Sequence, residues 1–99
     1  MDRLIEFSRR STIQLEKILN FYDERNGSDL YSKRLVRNLL LELQRIAKKP
    51  NIGNPSTRND VRFVYLMDYT IIYRFSMRRI TVLSIRSDSL KPLSIYQKK

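Results

Sequence analysis

The chain has 99 residues, of which 41% are hydrophobic and 30% are charged. This composition is typical of one soluble globular domain and not of a disordered protein. Twenty Lys and Arg face ten Asp and Glu, which gives a net charge of +10. Such an excess favours an anionic partner: nucleic acid, the ribosome, an acidic membrane surface or an acidic protein. The alternative interpretation is a charge that serves solubility alone.

The sequence indicates a cytoplasmic protein without a cofactor. No apolar run is long enough to cross a bilayer. Asp2, Arg3 and Glu6 occupy the N-terminal positions, where a signal peptide would be apolar. The chain lacks cysteine, which excludes disulfides and thiolate metal sites and fits a reducing compartment. It also lacks histidine, and its carboxylates show no ligand-like cluster, so we expect no metal and no organic cofactor. Because no apolar run is long enough to span a bilayer, we expect no membrane partner.

The first part of the chain predicts a short strand followed by a helix. Residues 3–7 are typical of a strand, and Ser8 or Ser11 begins the helix. Ser11 and Gln14 have the spacing of a capping box, in which each side chain satisfies a backbone N–H of the first turn. The apolar residues of this helix share one face: Leu15, Ile18, Leu19 and Tyr22. The Asn-Gly pair at residues 26–27 ends the helix, because glycine tolerates the left-handed conformation.

A second amphipathic helix follows almost at once. Ser28 is its expected cap, and Pro50 stops it. Its apolar residues again hold one face: Leu35, Leu39, Leu43 and Ile46, widened by Val36, Leu40 and Ala47. Two such helices joined by a short turn form an antiparallel hairpin.

The second half of the chain predicts a sheet. Residues 51–60 form a polar loop, after which residues 61–67, 69–75 and 80–86 are rich in Val, Ile, Tyr and Phe. Short turns join these three strands into an antiparallel meander, and the first strand must join the same sheet. The expected fold is a single α+β domain over residues 1–99, in the order β-α-α-β-β-β. An antiparallel sheet carries the helical hairpin on one face.

Four segments carry the pattern of a known family. They are IEFSRRSTIQLEKILNFY (5–22), KKPNIGNP (48–55), VRFVYLMDYTIIYRF (61–75) and ITVLSIRSDSLKP (80–92). In the third segment the matching residues are Val61, Arg62, Tyr69, Ile71, Ile72, Tyr73 and Arg74. In order, spacing and length, the chain resembles the RelE/ParE toxins of type II toxin–antitoxin systems, also called plasmid-stabilisation proteins.

The resemblance implies a growth-inhibiting bacterial toxin and a cognate antitoxin that wraps it. The positive charge of the chain suggests that the wrapping segment is acidic. The family divides by target. RelE-like members cut messenger RNA on the ribosome, whereas ParE-like members poison DNA gyrase and lack a nuclease site.

The residues of this chain favour the ParE-like branch. RNA cleavage without a metal needs an acid, a base and cations near the phosphate, and histidine is absent. RelE-like nucleases carry a basic residue at the position of Thr70, and Arg, His or Tyr where this chain has Ser87, Asp88 and Ser89. We therefore expect a non-enzymatic toxin acting on DNA gyrase. The alternatives are a metal-independent, ribosome-dependent mRNA endonuclease and a non-toxic basic nucleic-acid-binding module.

Five residues are candidates for binding an anion or a target, although none is assigned a catalytic role: Arg62, Arg74, Arg86, Tyr73 and Tyr96. The three arginines come from three strands, which allows them to converge on one sheet surface. The competing interpretation makes them solvated side chains or partners of nearby carboxylates, and makes Tyr73 a core aromatic.

The second helix carries a further set of basic residues: Arg34, Arg37, Arg45, Lys48 and Lys49. A charged stripe of this kind is usually a plain solvated face. The functional interpretation is contact with nucleic acid or with an acidic segment of the antitoxin.

Overall fold

A computed structural model describes residues 2–87 of the chain. In chain order its elements are β1 (Leu4–Phe7), α1 (Arg9–Asn26), α2 (Leu30–Lys48), a 3-10 turn (Pro50–Ile52), β2 (Asn54–Pro55), β3 (Val61–Leu66), β4 (Tyr69–Phe75) and β5 (Arg79–Ser87). The strands form one sheet in the order β1-β5-β4-β3-β2. Both helices pack on one face of that sheet, which confirms the predicted α+β fold with a helical hairpin.

The sheet is mixed, whereas the sequence predicted antiparallel pairing throughout. Strands β3, β4 and β5 form the expected antiparallel meander. Strand β1, however, runs parallel to β5, with Ile5 opposite Ile80 and Phe7 opposite Val82. Parallel neighbours require a long crossover connection, and the helical hairpin lies within it. The alternation of apolar residues in a short edge strand does not indicate whether that strand runs parallel or antiparallel to its neighbour.

The predicted loop at residues 51–60 contains a short strand. Asn54 lies opposite Phe63 and Pro55 lies opposite Arg62, so β2 extends the sheet beyond β3. Proline has no N–H to donate, and it is tolerated here because β2 is an edge strand. The prediction of a polar loop over residues 51–60 was therefore wrong at these two positions.

The core lies between α2 and the middle of the sheet. Helix α2 buries the apolar face that its spacing predicts: Leu35, Leu39, Leu43, Ile46 and Ala47. The sheet contributes Val64, Tyr69, Ile71, Tyr73, Ile80, Val82 and Ile85. The apolar face of α1 packs against this core but is only partly buried. Leu40 was wrongly predicted to widen the buried face, since it is 44% exposed.

Helix α1 begins at Arg9, and Ser8, one of the two predicted starting residues, is its N-cap. The Ser8 hydroxyl accepts a hydrogen bond from the Ser11 backbone N–H at 3.1 Å. Ser11 itself is buried, and its hydroxyl donates to the Val82 carbonyl at 2.9 Å. Gln14 accepts from the Ile85 backbone N–H at 2.7 Å. The predicted capping box was therefore wrong. Strand β1 ends at Phe7, and beyond that point Ser11 and Gln14 form hydrogen bonds with backbone groups of β5 and not with backbone N–H groups of the first turn of α1.

Gly27 ends α1 and allows the chain to turn towards α2. This glycine has a φ of 65°, and its N–H donates to the Asp23 carbonyl at 3.0 Å. The left-handed conformation costs glycine little, because it has no Cβ. The residue that precedes α2 is Asp29, and Ser28 only accepts a long hydrogen bond from Leu30 at 3.4 Å. Ser28 is therefore not the cap itself.

Candidate functional site

The strand register separates the three candidate arginines. Residues directly opposite each other in an antiparallel pair point to the same face. Arg62 lies opposite the buried Tyr73, so it belongs to the face that carries the helices. Arg74 is one residue further along β4 and therefore points to the other face. Thr70 and its opposite residue Arg86 share that other face. The expected convergence of all three arginines on one surface does not occur.

The sheet face away from the helices is called the open face here. It carries Val61, Phe63 and Tyr65 of β3, Thr70, Ile72 and Arg74 of β4, and Thr81 and Arg86 of β5. Phe63 and Tyr65 form an edge-to-face pair with ring centroids 5.7 Å apart. Four residues separate the levels of Arg86 and Arg74, which is about 13 Å along the strands. The two arginines thus stand at different levels and do not form one cluster. Position 70 is threonine, but Arg86 of the next strand lies beside it.

A shallow concavity lies at the Arg74 end of the open face. It is lined by Glu6, Arg74, Phe75, Ser76, Arg79 and Thr81. Glu6 already accepts from Arg79 at 2.9 Å and from the Thr81 hydroxyl at 3.1 Å. Within residues 2–87, Arg74 makes no ion pair. The concavity therefore carries one more cation than anions, which suits the binding of an anionic group. Its carboxylate, Glu6, already accepts two hydrogen bonds and is not free to act as a base.

Tyr73 and Arg62 hold the segment that follows α2. The Tyr73 hydroxyl donates to the Pro50 carbonyl at 2.6 Å and accepts from the Gly53 N–H at 3.2 Å. Arg62 Nη1 donates to the Gly53 carbonyl at 2.8 Å. Tyr73 is fully buried, and burial raises the pKa of its hydroxyl. These four residues, called the Tyr73 anchor below, fasten the 3-10 turn to the sheet. Tyr73 is therefore a core residue and not an accessible acid.

All five basic candidates of the second helix are exposed, four of them within α2 and Lys49 directly after it: Arg34, Arg37, Arg45, Lys48 and Lys49. Arg45 pairs with Glu42 at 2.7 Å. The other four make no ion pair with any residue of the described range 2–87. This face of α2 lies on the opposite side of the molecule from the open face of the sheet. The two positive surfaces are therefore separate.

A cluster of three tyrosines joins the two helices to β4, and no motif in the sequence predicted it. The rings of Tyr22 and Tyr31 have centroids 4.3 Å apart, and Tyr69 lies against them with only 3% of its surface exposed. Burial, followed by the hydrogen bond to Tyr22, raises the pKa of Tyr69, and burial also raises that of Tyr31. Tyr22 and Tyr31 lie on either side of the short turn between the helices, but Tyr69 is 38 residues beyond Tyr31, so only the packed structure brings the third ring to the other two.

Stability is expected to fall at alkaline pH because of the buried tyrosines. The raised pKa values of Tyr69 and Tyr73 mean that the folded chain keeps protons that the unfolded chain releases near pH 10. The free energy of unfolding should stay level up to about pH 9. Above about pH 10 it should fall by up to about 1.4 kcal/mol per pH unit for each such tyrosine. Urea unfolding between pH 8 and 11.5 measures this slope.

Two single variants test the origin of that slope. Tyr73→Phe removes a buried hydroxyl and should make the alkaline loss shallower. Tyr65→Phe is the control, because Tyr65 is 62% exposed, and it should leave the slope unchanged. Equal slopes in the two variants would show that burial of Tyr73 is not the cause.

Some of the residues singled out in the sequence lie outside the part of the chain that the structure describes. Tyr96, Asp88 and Ser89 lie beyond the described residues. Among residues 2–87, no three His, Cys, Asp or Glu side chains lie together in a way that could hold a metal ion. The expectation of no metal and no cofactor stays a prediction. Neither helix of this range has the length and apolar character needed to span a bilayer.

Comparisons with known proteins agree with the fold and with the family pattern. The family model for the ParE toxin of the type II toxin–antitoxin system parDE matches residues 5–91. The solved structure of a chromosomal ParDE toxin–antitoxin system from P. aeruginosa is similar, with a TM-score of 0.71. That match covers 86% of this chain and 95% of the other at 19% identity, so it shows the fold alone. A search of curated proteins finds no match. Since the family model spans most of the sequence, this chain belongs to the ParE toxin family of type II toxin–antitoxin systems.

Proposed function

We propose that this chain arrests bacterial growth by binding and inhibiting DNA gyrase in the cytoplasm, and that a cognate antitoxin neutralises it. The observation that carries the proposal is the match to the ParE toxins over residues 5–91. Gyrase is the target implied by the resemblance to ParE-like toxins. The antitoxin follows from membership of a two-component family, and the net charge of +10 favours an acidic one.

The arrangement of side chains supports binding over RNA cleavage. Two of the candidates for binding an anion or a target, Tyr73 and Arg62, already make hydrogen bonds within the Tyr73 anchor. Glu6, the carboxylate of the concavity, already accepts two hydrogen bonds. Cleavage at a 2′-hydroxyl needs a base within reach and able to take a proton near neutral pH. Within residues 2–87, the open face presents arginines, hydroxyls and aromatic rings, but no uncommitted base.

Expression of the wild-type chain without any partner tests the proposal. We expect growth arrest with intact mRNA and signs of DNA damage, and we expect the purified chain to inhibit supercoiling of relaxed plasmid by gyrase. Rapid mRNA cleavage with active gyrase would identify the nuclease alternative instead. Normal growth at confirmed expression would favour the non-toxic basic binding module. Co-expression of the adjacent reading frame is the control and should restore growth.

A further inference from the structure

The outer edge of β1 has no neighbouring strand within residues 2–87, because β1 stands first in the order β1-β5-β4-β3-β2. The Leu4 N–H donates to the Arg78 carbonyl at 2.8 Å, so every second residue from Leu4 onward forms hydrogen bonds with β5. The residues between them, Ile5 and Phe7, therefore direct their N–H and C=O groups away from β5. This row of backbone groups, called the β1 edge here, can pair with an added strand.

The opposite edge of the sheet is protected against such pairing. Strand β2 is only two residues long and ends in Pro55, which has no N–H to donate. Beside it, the Asn54 side chain donates to the Phe63 carbonyl at 3.2 Å, and the Ser56 hydroxyl donates to the Val61 carbonyl at 2.6 Å. Proline and very short strands are devices by which proteins keep partners off a sheet edge. Strand β1, with the sequence LIEF, has neither device.

Apolar and basic side chains surround the β1 edge. Leu4 is 66% exposed, and Met77, in the turn before β5, is 89% exposed. Arg78 lies beside the start of β1, and Arg9 and Arg10 follow its end. All three arginines are exposed, and none makes an ion pair with another residue of the described part of the chain. The β1 edge therefore offers apolar contacts together with an unbalanced cation at each end.

The β1 edge is held in place without a partner. The Arg3 guanidinium donates to the Ser76 carbonyl at 2.6 Å and to the Ala47 carbonyl at 3.1 Å, which ties the start of β1 to the turn before β5 and to the end of α2. The Ser8 N–H donates to the Val82 carbonyl at 2.9 Å and fixes the other end. An edge that is already ordered loses little conformational entropy on binding, which favours affinity.

An extended polypeptide with acidic ends fits the β1 edge better than other partners. A nucleic acid would satisfy the arginines, but it has no regular series of N–H and C=O groups to continue the sheet. A second copy of this chain carries the same net charge of +10, which opposes self-association. Glu6, in the middle of β1, already pairs with Arg79 at 2.9 Å and repels a further acidic residue directly beside it. The edge therefore selects a segment with an apolar or neutral centre and acidic residues at both ends.

We infer that the β1 edge is the surface through which the chain binds its target, and that an extended segment of DNA gyrase with acidic ends adds to the sheet there as a further strand. This inference rests on the proposed function, in which gyrase is the target. A toxin that acts by binding alone needs directional contacts, and the outward backbone groups of Ile5 and Phe7 supply them. In strand addition the main chain gives affinity, and the side chains beside the edge give specificity.

Amide hydrogen exchange of the isotope-labelled chain, alone and bound to purified gyrase, tests the pairing directly. In the free chain the N–H groups of Ile5 and Phe7 should exchange faster than that of Leu4, which is bonded to β5. Binding of gyrase should slow exchange at Ile5 and Phe7 by about tenfold or more, because an added strand accepts hydrogen bonds from them. The amides at the start of α2 are the control and should be unchanged. Unchanged exchange at Ile5 and Phe7 in the gyrase complex would overturn the inference.

The same substitution at two exposed leucines tests the position of the contact. Leu4→Glu is compared with Leu30→Glu, since the two leucines are 66% and 74% exposed and the net charge changes equally. A carboxylate at position 4 repels the acidic segment, so Leu4→Glu should raise the concentration needed for half-inhibition of gyrase supercoiling by about tenfold or more. Leu30→Glu should change it by about twofold or less. Thermal unfolding verifies that both variants keep the fold, and equal inhibition by the two would contradict the inference.

A charge-reversal pair tests the basic end of the edge. Arg9→Glu with Arg10→Glu is compared with Arg34→Glu and Arg37→Glu, two exposed arginines of α2. Both pairs change the net charge equally, so any difference in gyrase binding reports position. We expect the pair beside β1 to bind gyrase about tenfold more weakly at low salt, mainly through slower association, and the α2 pair to change by about threefold or less. Equal losses would show that general attraction, and not the β1 edge, recognises the target.

The outcomes separate the inference from the proposed function. If the wild-type chain neither binds nor inhibits gyrase, the proposed function fails, and the inference fails with it. If the wild-type chain inhibits gyrase without protecting Ile5 and Phe7, gyrase binds elsewhere and only the inference fails. Protection of these amides in the free chain at high concentration would identify a second copy as the occupant, and protection by the antitoxin but not by gyrase would identify the antitoxin. Either result would overturn the inference and leave the proposed function standing.

Discussion

Replacement of Leu43 by alanine is expected to lower the free energy of unfolding by about 3–4 kcal/mol. Leu43 has no exposed surface and lies at the centre of the core face of α2. The loss combines the removed apolar contacts with the cavity that a close-packed core cannot fully close. For a domain of this size, each kcal/mol corresponds to a shift of about 4–8 °C in the melting temperature. Urea titration followed by circular dichroism measures the change directly.

Leu41→Ala is the matched control for this prediction. It removes the same atoms from the same helix, but Leu41 is 55% exposed. Its cost should be within about 0.5 kcal/mol, as for most surface substitutions. A similar loss in both variants would contradict the assignment of the two faces of α2.

The second large effect is expected at Gly53, where the Tyr73 anchor leaves no room for a side chain. A Cβ at this position would overlap the Tyr73 hydroxyl oxygen and lie 3.0 Å from two of its ring carbons. The backbone of Gly53 is extended, with a φ of −74°, so the penalty comes from crowding and not from backbone strain. Gly53→Ala should lower the free energy of unfolding by about 2–3 kcal/mol, as overpacking of a rigid site does.

A double-mutant cycle with Tyr73→Phe identifies the cause of that loss. Alone, Tyr73→Phe leaves the Gly53 N–H and the Pro50 carbonyl without their partner, at a cost of about 2–3 kcal/mol. Once the hydroxyl is gone, the added methyl group of Gly53→Ala meets only ring carbons. Its further cost should then be smaller by about 1 kcal/mol or more. Additive losses would show that Gly53 and Tyr73 do not act through this contact.

The sequence predicted those parts of the fold that depend on neighbouring residues. The core face of α2, the helix end at Gly27 and the three strands of the meander each follow from local spacing or local conformation. The direction of β1 depends on β5, whose paired residues lie 75 positions further along the chain. Strand β2 has only two residues, too few for a pattern of alternating side chains. Ser8 and Gln14 show the same limit. Their side chains bond to β5, which a pattern confined to the helix cannot reveal.

The candidate site was less predictable, because faces of a sheet depend on register. Shifting a pair of strands by one residue exchanges the two faces. Arg62 and Arg74 both have apolar neighbours in the sequence. The pairing of Arg62 with Tyr73 nevertheless places the two arginines on opposite faces of the sheet. The interpretation of Tyr73 as a core aromatic was right. The basic residues of α2 were visible in the sequence, but the exposure of Leu30 and Leu41 among them required the structure.

The parallel pairing of β1 with β5 has a consequence for the order of folding. Ile5 meets Ile80, so the two strands that share this ladder are separated by nearly the whole described chain. Closing so long a loop is entropically costly and slows folding, whereas the helical hairpin is built from nearby residues. During synthesis the hairpin emerges well before Arg79–Ser87, and β5 must arrive before β1 has a neighbour. The nascent chain therefore displays α2 before it possesses a complete sheet, and the apolar core face of this helix has no packing partner until the strands follow.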